Sequence, residues 1–162
     1  MKTVQYWVNH LDLLAHPEGG FYKETYRSSE NVINRNGAER SASTGIYFLI
    51  TSENFSAFHK IESDEMWHYH AGSALSVYII DEKGDLSVLK IGKNIEKGEQ
   101  LQGVVPAGSW FASRVDEDDS YSLVGCTVSP GFDFQDFKLA DRVDLIKQYP
   151  AQKNIIEELT RG

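Results

Sequence analysis

Between residues 44 and 128 the chain carries eight short segments of apolar or alternating character, each closed by a turn and none with a helical repeat. They fall at residues 44–51, 56–61, 65–70, 75–80, 86–91, 102–106, 110–114 and 121–128. Ala71-Gly72, Asp81-Glu82-Lys83-Gly84 and Ser129-Pro130-Gly131 are the clearest stops, because glycine and proline end regular backbone. Segments 75–80 and 86–91 flank a short turn and pair naturally as a hairpin. Strands at this spacing, with no helix between them, bury their faces only as a sandwich or a barrel. The predicted fold class is all-β.

The flanks read differently. Val4, Trp7, Val8, Leu11 and Leu14 recur at helical spacing and predict an amphipathic helix over residues 3–14. His16-Pro17-Glu18-Gly19-Gly20 ends it, since proline restrains the residue before it and paired glycines accept positive φ. The same turn precedes a strand predicted over 21–27, so it is expected at the rim of whatever the strands enclose. Residues 29–41 are polar, contain Asn36-Gly37 and predict a turn or mobile loop. Two short helices are predicted over 141–148 and 153–160. We read one domain: residues 1–20 as N-terminal helix and turn, 21–134 as β core, and 135–162 as a C-terminal helical segment.

Charge and composition narrow the function classes. Acidic residues number 24 against 16 basic ones, a formal net charge of -8. Phosphate contacts and anionic lipid both need a basic surface, so neither nucleic acid nor membrane is expected as a partner. No apolar run approaches the roughly 20 residues of a membrane span. Asn9, His10 and Asp12 interrupt the N-terminal apolar spacing, so no signal peptide is expected. The one cysteine, Cys126, has no partner for an internal disulfide, and a cytoplasmic location is expected.

Chemistry concentrates in residues 58–72, which hold His59, His68 and His70 with Glu62, Asp64 and Glu65. Imidazole and carboxylate are the ligands of zinc, iron, manganese and nickel. Strand geometry decides which can converge, because side chains alternate between faces. Glu65, Trp67 and Tyr69 share one face; Met66, His68 and His70 share the other. The cluster therefore divides into two alternative sites.

At these residues the chain resembles the cupin superfamily. His59, Glu65 and Gly72 match the frame of the first cupin motif, with Ile61 where its second histidine stands. Pro106-Ala107-Gly108 matches the second motif, with Phe111 at its histidine position. The blocks HPEGGFYKETYRS, SDEMWHYHAG, VVPAGSW and LVGCTVSPGFDFQDF are similar to one branch, the cupin-5 (DUF985) family, and span roughly residues 10 to 140. The resemblance implies a double-stranded β-helix, or jelly roll, usually a homodimer. It also implies kinship in shape with dTDP-sugar 3,5-epimerases and with plant seed-storage and auxin-binding cupins. It carries no function by itself. Two of the four family metal positions are lost, so no cofactor is expected; a metal, if held, rests on His59 and Glu65.

The candidate catalytic residues are His59 as base, Glu65 as orienting carboxylate and Tyr69 as acid, the last by analogy of role with the epimerases. The bland alternative for His59 and Glu65 is a structural hydrogen-bonded pair. Candidate ligand-binding residues are Arg27 as an anion clamp, Tyr26, Trp67 and Trp110. Their alternatives are core packing for the aromatics and, for Arg27, an ion pair with Asp64, Glu65 or a partner subunit. Three functions follow: a metal-independent epimerase or isomerase binding a small polar metabolite such as a nucleotide or nucleotide-sugar; a metal-dependent dioxygenase or isomerase; or a non-catalytic ligand-binding module. Trp7, Val8 and Phe21 are apolar groups outside the main series that need cover, which suggests a homodimer with the N-terminal segment packed across its partner.

Overall fold

In the computed structural model, which describes residues 1–17 and 19–162, helix α1 (Val4–His10) leads into thirteen strands. These are β1 (Leu14–Ala15), β2 (Phe21–Arg27), β3 (Asn31–Ile33), β4 (Glu39–Ser41), β5 (Thr44–Thr51), β6 (Ser56–Lys60), β7 (Asp64–Gly72), β8 (Leu75–Ile80), β9 (Leu86–Ile91), β10 (Gln102–Val105), β11 (Trp110–Val115), β12 (Tyr121–Ser129) and β13 (Lys138–Leu139). Helices α2 (Arg142–Gln148) and α3 (Lys153–Glu158) follow. Antiparallel pairing arranges the larger strands into two sheets, β1-β2-β5-β12-β7-β10 and β13-β6-β11-β8-β9. They face each other as a jelly roll, the β class that the strand series predicts and the form that the cupin resemblance implies.

The alternation of apolar side chains fixes three layers. Inward-facing Phe48, Ile50, Val77, Ile79, Phe111, Val124 and Val128 form the core between the sheets. Outside the five-stranded sheet, Phe58, Ile80, Trp110 and Ala112 meet Leu145, Ile156 and Leu159 from the C-terminal helical segment. Asp141 starts α2 by accepting from the Asp144 N–H at 3.0 Å, one of the orphan donors that a helix start leaves. Outside the six-stranded sheet, Leu49, Tyr121 and Leu123 are covered by Val4, Trp7, Val8 and Leu11. No helix among the described residues is long and apolar enough to cross a membrane.

Two local differences from the sequence reading have physical causes. Helix α1 stops at His10 because Asp12 takes a left-handed φ of 53° and the Leu13 N–H turns back to Val8 O. That bend buries Leu13 under the helix. Residues 29–41 are a small hairpin, β3–β4, rather than a loop. Asn34 Oδ1 accepts from the N–H groups of Asn36 and Ala38, and Arg40 grips Asp136 with two bonds of 2.8 and 2.9 Å. The apolar residues that suggested a partner-crossing N-terminus have another use: Trp7, Val8 and Phe21 pack on the chain's own sheet, and Trp7 Nε1 donates to Tyr121 Oη at 2.9 Å.

Trp7→Ala therefore removes a lid from the sheet's outer face. We expect a loss of about 3 kcal/mol in urea unfolding, with the residues between the sheets unperturbed in amide NMR spectra.

Candidate functional site

A cavity of about 460 Å³ lies between the sheets, within the range of small-molecule sites. From the five-stranded sheet come His59 of β6 and, just after it, Ile61. The facing sheet supplies Tyr22 and Glu24 of β2, Ile46 and Phe48 of β5, Glu65 and Trp67 of β7, and Cys126 and Val128 of β12. His16 closes one side, and Phe132, Asp133, Phe134 and Phe137 form a roof. The buried His59, Trp67 and Cys126 mark the floor. Exposed Phe134 and the half-exposed Glu24–Arg27 pair mark the mouth.

Strand alternation positions the floor. Glu65 and Trp67 face inward on β7, while His68 faces outward, its Nε2 3.1 Å from Thr127 Oγ1, and His70 lies against the ring of Tyr47. The two-face division expected from the sequence is the one observed. His59 and Glu65 reach the same cavity from different sheets, β6 and β7 belonging to facing ones. A carbonyl only accepts, so the 2.7 Å contact of His59 Nδ1 with Ala57 O places the proton on Nδ1. Nε2 is left with its lone pair. The imidazole packs against Phe111, ring centroids 4.1 Å apart, and stacks on Phe137 at 5.2 Å and 25°. The family's lost metal positions are thus literal apolar neighbours: Phe111 pairs in register with His59, and Ile61 lines the cavity.

Burial sets the protonation states. Desolvation, with a smaller push from the neighbouring His16, lowers His59 to about 4 and outweighs the Ala57 hydrogen bond. Desolvation also lowers His16 to about 4. Glu65 has no hydrogen-bond or ion-pair partner among the described residues, and burial raises it to about 7. Cys126 is raised well above its ordinary value, first by burial and then by Glu65, so it is a thiol rather than a nucleophilic thiolate.

The remaining candidates divide. Arg27 lines the mouth, but Glu24 holds its guanidinium at 2.7 Å and Phe132 O accepts from it at 3.0 Å. Tyr69 faces inward but lies outside the cavity lining; its hydroxyl donates to Gly72 O at 2.7 Å. Trp110 sits on the other face of its sheet, between the ammonium groups of Lys60 and Lys138 and beneath the C-terminal helices. Tyr26 is 57% exposed and is not part of the lining, because a register shift in β2 separates it from Glu24. The structure therefore gathers His59, Glu65, Trp67 and Arg27 at one cavity and leaves Tyr69, Trp110 and Tyr26 apart.

The roof residues Phe132, Phe134 and Phe137 are not singled out from the sequence, and His16 is expected at the rim only as part of its turn. Its signal is the His-Pro-Glu-Gly-Gly turn; Glu18 of that turn lies outside the described residues. Gly20 has φ +78°, and a Cβ there would stand 2.5 Å from Leu49 O. The turn closes through the His16 N–H to Gly20 O at 2.9 Å, and this sets the imidazole against Tyr22 and Phe48.

The donor set does not suit a cupin-type metal. Only His59 and Glu65 occupy retained family positions, and Ile61 and Phe111 have no ligand atoms. No group of three His, Cys, Asp or Glu among the described residues is arranged to hold an ion, where stable sites take three or four protein ligands.

Comparison with known proteins shows the family. Residues 5–140 match the model of the cupin superfamily (DUF985) family. The chain belongs to that family. It is 31% identical over 160 residues to an uncharacterized protein of Saccharomyces cerevisiae, covering 90% of this chain and 79% of that one. A hypothetical protein from Leishmania major superposes with a TM-score of 0.95 at 39% identity, covering 99% of this chain and 100% of that one. A protein of Shewanella oneidensis gives 0.90 at 38%, covering 99% of each. Oxalate decarboxylase of Bacillus subtilis shares only the fold, with a TM-score of 0.58 at 14% identity over 91% of this chain and 37% of that one.

Two outcomes test this site. Gly20→Ala forces a side chain into left-handed backbone against Leu49 O, and is expected to cost more than about 1 kcal/mol in thermal unfolding. Glu65 binds its proton more tightly folded than unfolded, so its contribution to stability is present below pH 4.5 and is lost as pH rises to about 7. Glu65→Gln abolishes that loss. Relative to wild type, the variant should gain on the order of 3 kcal/mol between pH 4.5 and pH 8, read from urea unfolding at both pH values.

Proposed function

We propose that this cupin takes up one small ring-bearing metabolite in the barrel and moves a proton on it without a metal, as an isomerase or epimerase. The observation that carries the reading is that His59 and Glu65 enter one enclosed, largely apolar cavity from opposite sheets. An epimerisation or 1,2-proton shift needs one group to take a proton from carbon and another to return one at the other face or the neighbouring atom. Neither step needs an oxidant. His59 is neutral above about pH 4 and offers Nε2 as acceptor. Glu65, near 7, is partly protonated at neutral pH, which suits a group that both gives and takes a proton. The apolar walls exclude water and so protect a carbanion-like intermediate.

The ring of the metabolite lies beneath Phe132, Phe134 and Phe137, and a nucleotide or nucleotide-sugar is the less favoured occupant because of its phosphates. Its phosphate end would depend on Arg27, which Glu24 already holds. Tyr69, with its hydroxyl committed to Gly72 O, is left out of the proton relay, and Glu65 takes the acid role instead.

Solvent exchange tests the reading even before the substrate is identified. Wild-type protein incubated with a metabolite extract in D₂O should place one deuterium on carbon in a specific small molecule, detected by mass spectrometry. His59→Ala and Glu65→Gln should slow that incorporation at least about 100-fold. A compound retained in native mass spectrometry but never labelled would instead make the chain a binding module.

A further inference from the structure

The cavity's charge inventory points to the class of its occupant. We propose that the ligand carries a positive charge, an ammonium group or a protonated ring nitrogen, on a ring-sized apolar body, and that this charge is received by Glu65. The proposal rests on the small-molecule reading above and makes it more specific.

Consider first what an anion meets. The lining holds three carboxylates, Glu24, Glu65 and Asp133, and among the described residues one permanent cation, Arg27. Arg27 is occupied by Glu24 and by Phe132 O. The cavity histidines are neutral at physiological pH. An anionic group at the floor thus faces a carboxyl and a thiol, with no cation to offset its desolvation.

A cation meets the opposite. Glu65 is half-buried in the lining and, among the described residues, has no hydrogen-bond or ion-pair partner, a state in which one introduced positive charge gains most. Above it, Phe132, Phe134 and Phe137 lie edge to face, with centroids 4.9 to 6.4 Å apart. Such a cluster presents both ring faces and edges, and ring faces attract cations. Arg40 holds this roof in place through its paired bonds to Asp136, and the Phe132 N–H is bonded to Thr44 Oγ1 at 2.9 Å. Among the described residues, the ionisable groups that line the cavity with Glu65 are His59 from β6, Cys126 from β12, His16 from the turn, Tyr22, Glu24 and Arg27 from β2, and Asp133 from the roof. None of them supplies a free positive charge to Glu65, so the ligand is the group left to do so.

Three probes of one size decide it: benzylamine, benzyl alcohol and benzoate, charged +1, 0 and -1 at neutral pH. Binding is read from the methyl signals of Ile46 and Ile61, the aliphatic walls of the cavity, and by calorimetry. Benzylamine should bind at least about tenfold more tightly than benzyl alcohol, with benzoate weakest. Its binding should release a proton below pH 7 and tighten as pH rises toward 7. Glu65→Gln should erase the preference for benzylamine while keeping benzyl alcohol, whose retained binding shows that the variant cavity is intact. If that variant does not fold, proton release by the wild type serves as the readout. Benzyl alcohol or benzoate binding as tightly as benzylamine overturns the cationic assignment and leaves the small-molecule cavity standing. If none of the three moves the Ile46 and Ile61 signals, both readings fall.

Discussion

A strand paired on both sides cannot slip by one residue without exchanging its two faces, and β7 is such a strand. It lies between β12 and β10, with Glu65 opposite Val128 on one side and Val105 on the other. Slipped by one, it would turn Met66 and His68 into the barrel and send Glu65 and Trp67 to the surface. The cavity's acid, its indole wall and the outward histidine pair are therefore one decision, made by register. The β-bulge opposite Leu123 and Val124 falls at His70, past Glu65 and Trp67, so it does not disturb the face that lines the cavity.

The floor sets its polar groups among apolar ones. Ile61 lines the cavity, Phe111 pairs in register with His59, and Phe137 stacks over His59. This packing desolvates the two polar groups, His59 and Glu65. Desolvation favours the neutral form of each: the imidazole loses its proton and the carboxyl keeps one. The usual order of a histidine and a glutamate is thereby inverted, and the pair can coexist in an apolar cavity without forming an ion pair. Arg27, which also lines the cavity, is held at the mouth by Glu24.

Several elements were legible locally. The strands at Phe21–Arg27, Thr44–Thr51, Leu75–Ile80 and Leu86–Ile91 lie where alternation and turn residues place them, because period-two patterning and glycine-rich stops act within a few residues. The hairpin over residues 31–41 was not legible. Its strands are three residues each, too short to show an alternation, and its anchor, Arg40 to Asp136, spans 96 positions. His16 was visible only as a turn, since nothing in a helix stop announces that its side chain closes a cavity built from strands far along the chain.

What the amino-acid order alone determined is which residues share a face, and the β class that follows from it; both depend on backbone geometry that repeats every two residues. Which members of each face meet was decided only by folding. Glu65, Trp67 and Tyr69 are equivalent by parity, yet Tyr69 is tied to Gly72 while the other two line the cavity. Trp110, as aromatic as Trp67, faces the helices. Alternation is a local property of one strand, whereas enclosure requires two sheets, a turn and a roof to close on the same space, and that closure exists only in three dimensions.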